Sequence, residues 1–157
     1  MRVGITGHRG LNTDVEKKVR AFLTDRIRQH DPAELVGVSC IADGPDSWFA
    51  ESVLRHGGRL EVVVPATEYR KGLPDWHHPV YDWLISRAAD IHHTGMTEST
   101  SEAHQAGSEI LVGLVDELMA VWDGKPARGY GGTADVVAYA ERTGIPVQVL
   151  WPDGADR

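Results

Sequence analysis

Short apolar runs alternate along the chain with longer segments in which apolar residues recur every three or four positions. Most of the short runs are apolar throughout, which is typical of strands buried on both faces of a sheet. We expect six such strands, over residues 2–6, 35–40, 60–64, 90–93, 118–122 and 146–151.

The longer segments carry the helical period. Residues 13–30 have an apolar stripe that suits a helix lying with one face on a sheet. The stripe consists of Val15, Val19, Phe22, Leu23 and Ile27. Further helices are expected over residues 45–56, 80–88, 101–115 and 132–142. This alternation predicts an α/β fold: one doubly wound, mainly parallel sheet with helices on both faces, which binds ligands at the carboxyl ends of its strands.

The composition agrees with one compact domain. With 157 residues, 41% of them apolar and 25% charged, we expect residues 1–152 to form a single domain and residues 153–157 to be a flexible tail. The formal net charge of −7 makes nucleic acid an unlikely partner, because nucleic-acid binding draws on clustered Lys and Arg.

Cysteine content and hydropathy indicate which covalent links, metal sites and cellular compartments are compatible with the chain. Cys40 is the only cysteine, so neither a disulfide within the chain nor a cysteine-rich zinc site can form. No apolar run is long enough to span a bilayer, and the first residues lack the apolar core of a signal peptide. We therefore expect a cytoplasmic protein with no membrane partner.

Three turns that follow strands carry the candidate ligand chemistry, and all three fall on one edge of the predicted sheet. In the first, Arg9 can make a forked contact to phosphate and His8 offers a donor whose charge varies near neutral pH. In the second, Asp46 could accept a hydrogen bond from a ribose hydroxyl. The candidate ligand-binding residues of the three turns are Gly7, His8, Arg9, Ala42, Asp43, Gly44, Asp123, Gly131, Gly132 and Thr133.

The third turn, residues 123–135, is the richest in glycine. Glycines between a strand and a helix let the backbone approach a ligand, and the helix start presents unpaired N–H groups and a partial positive charge. Such a site binds anions, most often phosphate. A single turn of this kind is equally explained by the need of loops for positive φ angles, but three on one edge favour a pocket. We expect a nucleotide or sugar phosphate ligand and no further cofactor.

These motifs resemble those of the Rossmann-like SLOG superfamily, which includes the Lonely Guy phosphoribohydrolases, the DNA-processing protein A family and molybdenum cofactor carrier-like proteins. The similar segments are Gly4-Ile5-Thr6-Gly7-His8-Arg9, the run from Ser39 to Asp46, and Gly131-Gly132-Thr133 followed by Ala138, Ala140, Gly144 and Pro146-Val147. The resemblance implies a pocket for a nucleotide or nucleotide derivative, and a homodimer.

One position departs from the Lonely Guy pattern. Those enzymes carry a glutamate three residues after the threonine of the glycine motif, where this chain has Val136, and the nearest carboxylate is Asp135. A shift of one residue turns a helical side chain by about 100°. Asp46 and Asp135 are the candidate catalytic residues for cleavage of an N-glycosidic bond, with Glu51 and Asp123 as further carboxylates. The alternative is that Asp46 and Asp135 stabilise helix starts, Asp123 forms a turn and Glu51 is solvated.

Histidines and aromatic residues give weaker signals. The pairs at 77–78 and 92–93, together with His104, invite a metal site, but none has the spacing of a helical zinc pair, so we predict no bound metal. Residues 65–107 contain two predicted long loops, in which Tyr69 and Trp76 could stack on a base or anchor the loops to the core.

Two classes of function remain open. The first is a nucleotide-binding protein that acts as a sensor or a carrier, which intact glycine turns with a displaced acid favour. The second is an N-glycosidic bond hydrolase that acts on a nucleoside monophosphate.

Overall fold

The architecture is a single parallel sheet with helices on both faces. A computed structural model describes residues 1–157. The strands are β1 (Arg2–Gly7), β2 (Val36–Ser39), β3 (Arg59–Val64), β4 (Asp90–His93), β5 (Glu117–Val121) and β6 (Val147–Val149). The helices are α1 (Thr13–Arg28), α2 (Pro45–His56), α3 (Tyr69–Gly72), α4 (His78–Arg87), α5 (Ser101–Gly113) and α6 (Thr133–Arg142). No helix is long and apolar enough to cross a membrane.

The order of the strands determines where the sheet opens a crevice. The order is β4-β3-β2-β1-β5-β6, and every neighbouring pair is parallel. After β4 the chain crosses back so that β5 lies beside β1, and a doubly wound sheet opens a crevice where its strand order reverses. The predicted α/β fold is confirmed, and its crevice lies at the carboxyl ends of β1 and β5.

The apolar stripe predicted for the first helix is buried as expected. Val15, Val19, Leu23 and Ile27 of α1 are at most 5% exposed, whereas Phe22 points outward and is 38% exposed. The four buried residues belong to one of two clusters of buried apolar residues, with Phe49 and Val53 from α2 and inner residues of β1 and β5. The other cluster joins α5 and α6 to residues of β2, β3 and β5. Burial of the apolar side chains in these two clusters is the main driving force for folding.

A small network of ion pairs links Arg2, the first residue of β1, to Glu61 within β3 and His92 within β4. Arg2 of β1 donates two hydrogen bonds to Glu61 of β3, at 3.1 and 2.7 Å. His92 of β4 lies 2.9 Å from the same carboxylate, through Nε2 and Oε1. Hydrogen bonding from Arg2 lowers the pKa of Glu61, and His92 adds to that effect. We call these three residues the amino-end network, because Arg2 is the first residue of β1.

Candidate functional site

A cavity of about 270 Å³ opens at the carboxyl ends of the strands, where the crevice was expected. All three glycine-containing turns contribute to its wall. The predicted residues that line it are Gly7, His8, Arg9, Ala42, Asp46, Gly131, Gly132 and Thr133. The predicted residues Asp43, Gly44, Asp123 and Asp135 do not line it.

Asp43 supports the first turn from outside the cavity. Its Oδ1 lies 2.7 Å from Nη2 of Arg9 and accepts a hydrogen bond from Nε at 2.9 Å. The carboxylate is 9% exposed, whereas the Arg9 side chain is 47% exposed. Asp43 therefore orients Arg9 at the cavity and is itself shielded from a ligand.

The second turn forms the cavity floor in an unusual backbone conformation. Ile41 has a φ of 48°, a region that β-branched residues rarely adopt. Its N–H donates to Oγ of Ser39 at 2.9 Å, and its carbonyl lies 3.0 Å from Nε2 of the buried His77. Because these bonds and the full burial of the Ile41 side chain hold the turn, neighbouring Ala42 and Asp46 are fixed at the cavity.

Asp46 is the one carboxylate in the cavity wall. Its Oδ2 accepts a hydrogen bond from the N–H of Ala42 at 3.3 Å. Burial raises its pKa to about 7, although that bond and the charge of Arg9 oppose the rise. Near neutral pH the side chain can therefore hold a proton or release it.

The third turn leads into α6 with an open helix start. Gly131 has a φ of 85°, and a Cβ there would lie 2.8 Å from the carbonyl oxygen of Ser101. Its N–H donates to Asp135 at 2.9 Å, which closes the turn. Gly132 then begins the helix without a side-chain cap, whereas Asn12 and Thr100 cap α1 and α5. The N–H groups of Thr133 and Ala134 thus stay free for an anion, whereas those of Asp135 and Val136 donate to the carbonyl of Gly132.

The two acidic candidates on α6 and in the third turn have their oxygens turned to the protein. Asp135 holds the N–H of Gly131, whereas its neighbour Val136, at the position of the Lonely Guy glutamate, does line the cavity. Asp123 accepts from the N–H of Lys125 at 2.9 Å and faces Nε2 of His8 at 3.2 Å. Burial raises the pKa of Asp123, but Lys125, His8 and a nearby arginine together lower it below its usual range.

The wall also contains residues that were not among the ligand-binding and catalytic residues predicted from the sequence. They include Cys40, Arg128 and Arg157, with Tyr69 and His104 in edge-to-face contact at 5.6 Å. Burial holds the pKa of Tyr69 well above its usual range, so the phenol is protonated. Arg128 lies in the glycine-rich segment itself and could have been chosen from sequence, because arginine beside a phosphate turn is a common pairing. The wall thus carries three arginines and one carboxylate.

Tyr69 and Trp76, the two candidates for stacking on a base, lie in different surroundings. Tyr69 is 5% exposed and faces the cavity, whereas Trp76 is 71% exposed and does not line it. Glu51, the remaining carboxylate considered, lies 3.8 Å from Arg20 and is also outside the cavity. Of these residues, Tyr69 alone can contact a ligand bound there.

The histidines considered as metal ligands lie apart and contact protein groups. His77 binds the Ile41 carbonyl, His78 the carbonyl of Arg70 at 2.7 Å, and His104 the Ser99 hydroxyl at 2.8 Å. One group has metal-like spacing, namely Glu61, Asp90 and His92. Because Arg2 already binds both oxygens of Glu61, a cation there would have to displace a guanidinium.

Similar proteins were found by structure and not by sequence. No protein-family model matches the chain, and no curated protein is significantly similar to it. DNA processing protein A from Streptococcus pneumoniae matches with a TM-score of 0.70 and 19% identity, over 99% of this chain and 52% of that protein. Its Helicobacter pylori counterpart, described for its single-stranded DNA binding mode, matches with a TM-score of 0.71, 17% identity and coverage of 99% and 67%.

A third similar structure is the molybdenum cofactor carrier protein of Chlamydomonas reinhardtii, with a TM-score of 0.56, 16% identity and coverage of 94% and 74%. This chain spans about half the length of the Streptococcus protein. The likeness at these identities is one of fold, and it agrees with the resemblance of the three sequence motifs. The chain therefore has the Rossmann-like fold of these proteins.

Proposed function

We propose that this protein binds a nucleotide or a nucleotide-derived phosphate ligand in the cavity and acts as a sensor or a carrier. The observation that carries the proposal is the uncapped start of α6 beside Arg9, Arg128 and Arg157 in one cavity wall. Backbone N–H groups at a helix start and arginine side chains are the two protein groups that most often bind phosphate.

The charge around the cavity supports an anionic ligand. The whole chain has a formal net charge of −7, yet the wall contains three arginines against one carboxylate. Arg9 and Arg157 are each paired with an aspartate outside the wall, whereas Arg128 takes part in no ion pair. Its positive charge is the one most available to a ligand.

The dimensions of the cavity favour a small ligand. Small-molecule sites commonly measure about 300–1,000 Å³, and this cavity, at about 270 Å³, falls just below that range. A mononucleotide that remains partly exposed fits this size better than a dinucleotide. Tyr69 and His104 supply aromatic faces on which a base can lie.

The similar structures are compatible with this proposal. One is named as a carrier of the molybdenum cofactor and another is described as binding single-stranded DNA. We further propose that the protein forms a homodimer, as the resemblance of its motifs implies, and that it is cytoplasmic. The acidic net charge of this chain favours a small ligand over nucleic acid.

Hydrolysis of an N-glycosidic bond is the second candidate, and Asp46 is the residue that supports it. With a pKa of about 7 in the cavity wall, Asp46 could donate a proton to a departing base. The second carboxylate that such chemistry needs is missing from the wall, because Val136 occupies the position of the Lonely Guy glutamate and Asp135 binds Gly131. Binding without cleavage is therefore the preferred function.

Native mass spectrometry with a panel of nucleoside monophosphates, diphosphates and cyclic nucleotides tests both candidates and counts subunits. An intact bound nucleotide supports the sensor or carrier, whereas free base with ribose phosphate supports the hydrolase. Arg128→Ser should weaken binding about ten-fold. Arg142→Ser is the matched control, because Arg142 is exposed on the far part of α6 and lies over Tyr139. The absence of binding to any member would contradict the proposal.

A further inference from the structure

The C-terminal segment lies against the cavity. Trp151 donates through its indole N–H to the carbonyl of Ala155 at 3.0 Å, which turns the chain back. The Trp151 ring meets the His8 ring edge to face at 5.6 Å. At the end of the segment, Arg157 reaches the cavity wall with its side chain 13% exposed. We refer to residues 152–157 as the strap.

Arg157 is held in place by three groups. Nη1 donates to Nδ1 of His8 at 3.1 Å, and Nη2 donates to the carbonyl of Pro126 at 2.9 Å. Nε lies 3.0 Å from Oδ2 of Asp123. Because a guanidinium has five N–H groups, Nη1 and Nη2 each keep one for another acceptor. A side chain that is positioned so closely and still has free donors at a cavity is prepared for an anion.

His8 has the protonation state that this arrangement requires. Nδ1 can accept from Arg157 only when it carries no proton, so in a neutral ring the proton is on Nε2 and faces Oδ1 of Asp123. The backbone N–H of Asp123, also 3.2 Å from Nε2, then cannot donate to that nitrogen. Burial lowers the pKa of His8, and the charge of Arg157 adds to that effect, which keeps the ring neutral. Both ring nitrogens are thus occupied, so His8 serves to position Arg157 and not to bind the ligand through hydrogen bonds.

We propose that the strap closes one side of the cavity and that Arg157 binds the phosphate group of the ligand, together with the start of α6. This inference rests on the proposed function and adds a phosphate-binding residue from a segment that belongs to no strand or helix. Since Arg157 and Trp151 both contact His8, binding of the phosphate also stabilises the docked strap.

Titration of inorganic phosphate, followed by ³¹P NMR, tests the inference on the full chain. Wild-type protein should bind phosphate, and Arg157→Ala should bind it about ten-fold more weakly. Arg157→Lys should lie between them, because lysine keeps the charge and loses the forked geometry. The matched control, Arg142→Ala, should bind like the wild type. Thermal unfolding of each variant shows whether it is folded at the temperature of the titration.

The outcomes separate the two proposals. Equal affinity of wild type and Arg157→Ala would overturn the role of Arg157 and leave the proposed function standing. No phosphate binding by the wild type, together with no nucleotide binding in the mass spectra, would overturn both. If Arg157→Ala weakens the binding of adenosine and of adenosine monophosphate to the same extent, the strap only shapes the cavity. The proposal that Arg157 contacts phosphate directly is then wrong.

Discussion

Charged groups are arranged differently in the amino-end network and around the cavity at the carboxyl ends of the strands. In the amino-end network, Arg2 and His92 both contact Glu61, and both oxygens of that carboxylate are occupied. At the carboxyl ends, Arg9 and Arg157 are paired with aspartates outside the cavity, but Arg128 takes part in no ion pair and the start of α6 has no side-chain cap. Groups that neutralise each other stabilise the fold, whereas groups left open are available to a ligand at some expense of stability.

The third turn should be the most sensitive point of the carboxyl end. Gly131→Val places a β-branched residue at a φ of 85° and a Cβ 2.8 Å from the backbone of Ser101. We expect a loss of about 2 kcal/mol or more in the free energy of unfolding, together with loss of phosphate binding. Urea unfolding measures the first effect and the phosphate titration the second.

Gly113→Ala is the matched control for that substitution. Gly113 closes α5, and a Cβ there would meet no atom within 4 Å. Alanine should therefore leave stability unchanged or raise it slightly. If both glycine variants behave alike, the third turn is less constrained than its geometry indicates.

Asp46 should make the carboxyl end less stable as the pH rises. Its pKa is raised from 3.8 to about 7 in the folded protein, so between these values the folded state keeps a proton that the unfolded chain has lost. The stabilisation is present at low pH and disappears as the pH rises through about 7. Relative to the wild type, Asp46→Asn should gain about 4 kcal/mol in the free energy of unfolding between pH 4 and pH 8, because one pKa unit corresponds to about 1.4 kcal/mol.

Urea unfolding of both proteins at the two pH values measures this difference. Asp156→Asn is the control, because Asp156 is exposed and lies in no ion pair. A stability difference between wild type and Asp46→Asn that does not change with pH would contradict the raised pKa. If the protein is a hydrolase, the same variant should also stop release of free base.

The amino-end network should show the opposite dependence on pH and a smaller effect. Arg2 and His92 lower the pKa of Glu61, so its stabilisation is present above the ordinary pKa and is lost as the pH falls through the folded-state value. Glu61→Gln should cost about 1 kcal/mol at neutral pH, since Arg2 is 34% exposed and partly screened.

The same variant should leave phosphate affinity unchanged, which would sharpen the contrast between the amino-end network and the cavity. Glu98→Gln serves as control, because Glu98 is exposed and unpaired. A change in phosphate affinity for Glu61→Gln, but not for Glu98→Gln, would show that the amino-end network is coupled to the cavity through the sheet.

Local patterns were enough to predict the regular elements. The bounds expected for α2 and β4 agree with the structure, and the other strands and long helices differ by a few residues at their ends. Helix α3 was expected to be part of a loop, because four residues are too few to show a helical period. Apolar periodicity thus recovers elements long enough to bury a face.

The site could be predicted only in part, because its wall comes from distant segments. Glycine turns mark the edge of the sheet from sequence alone, but Tyr69, His104 and Arg157 come to the cavity through tertiary contacts. Residues 153–157 were expected to be a flexible tail, and in the structure Arg157 contacts His8, Asp123 and Pro126. Small polar residues give no sign of such a contact, which a single side chain makes.

The conformation of Ile41 limits how the cavity can be altered. Ile41 combines a left-handed backbone conformation next to the site with a side chain that is fully buried in the core. Redesign of ligand specificity therefore has to leave Ser39, Ile41 and His77 in place, because any change there would disturb packing and floor together. Variation is safer at Arg128, whose side chain is exposed and supports nothing beneath it. New specificities are accordingly more accessible through the rim of this cavity than through its floor.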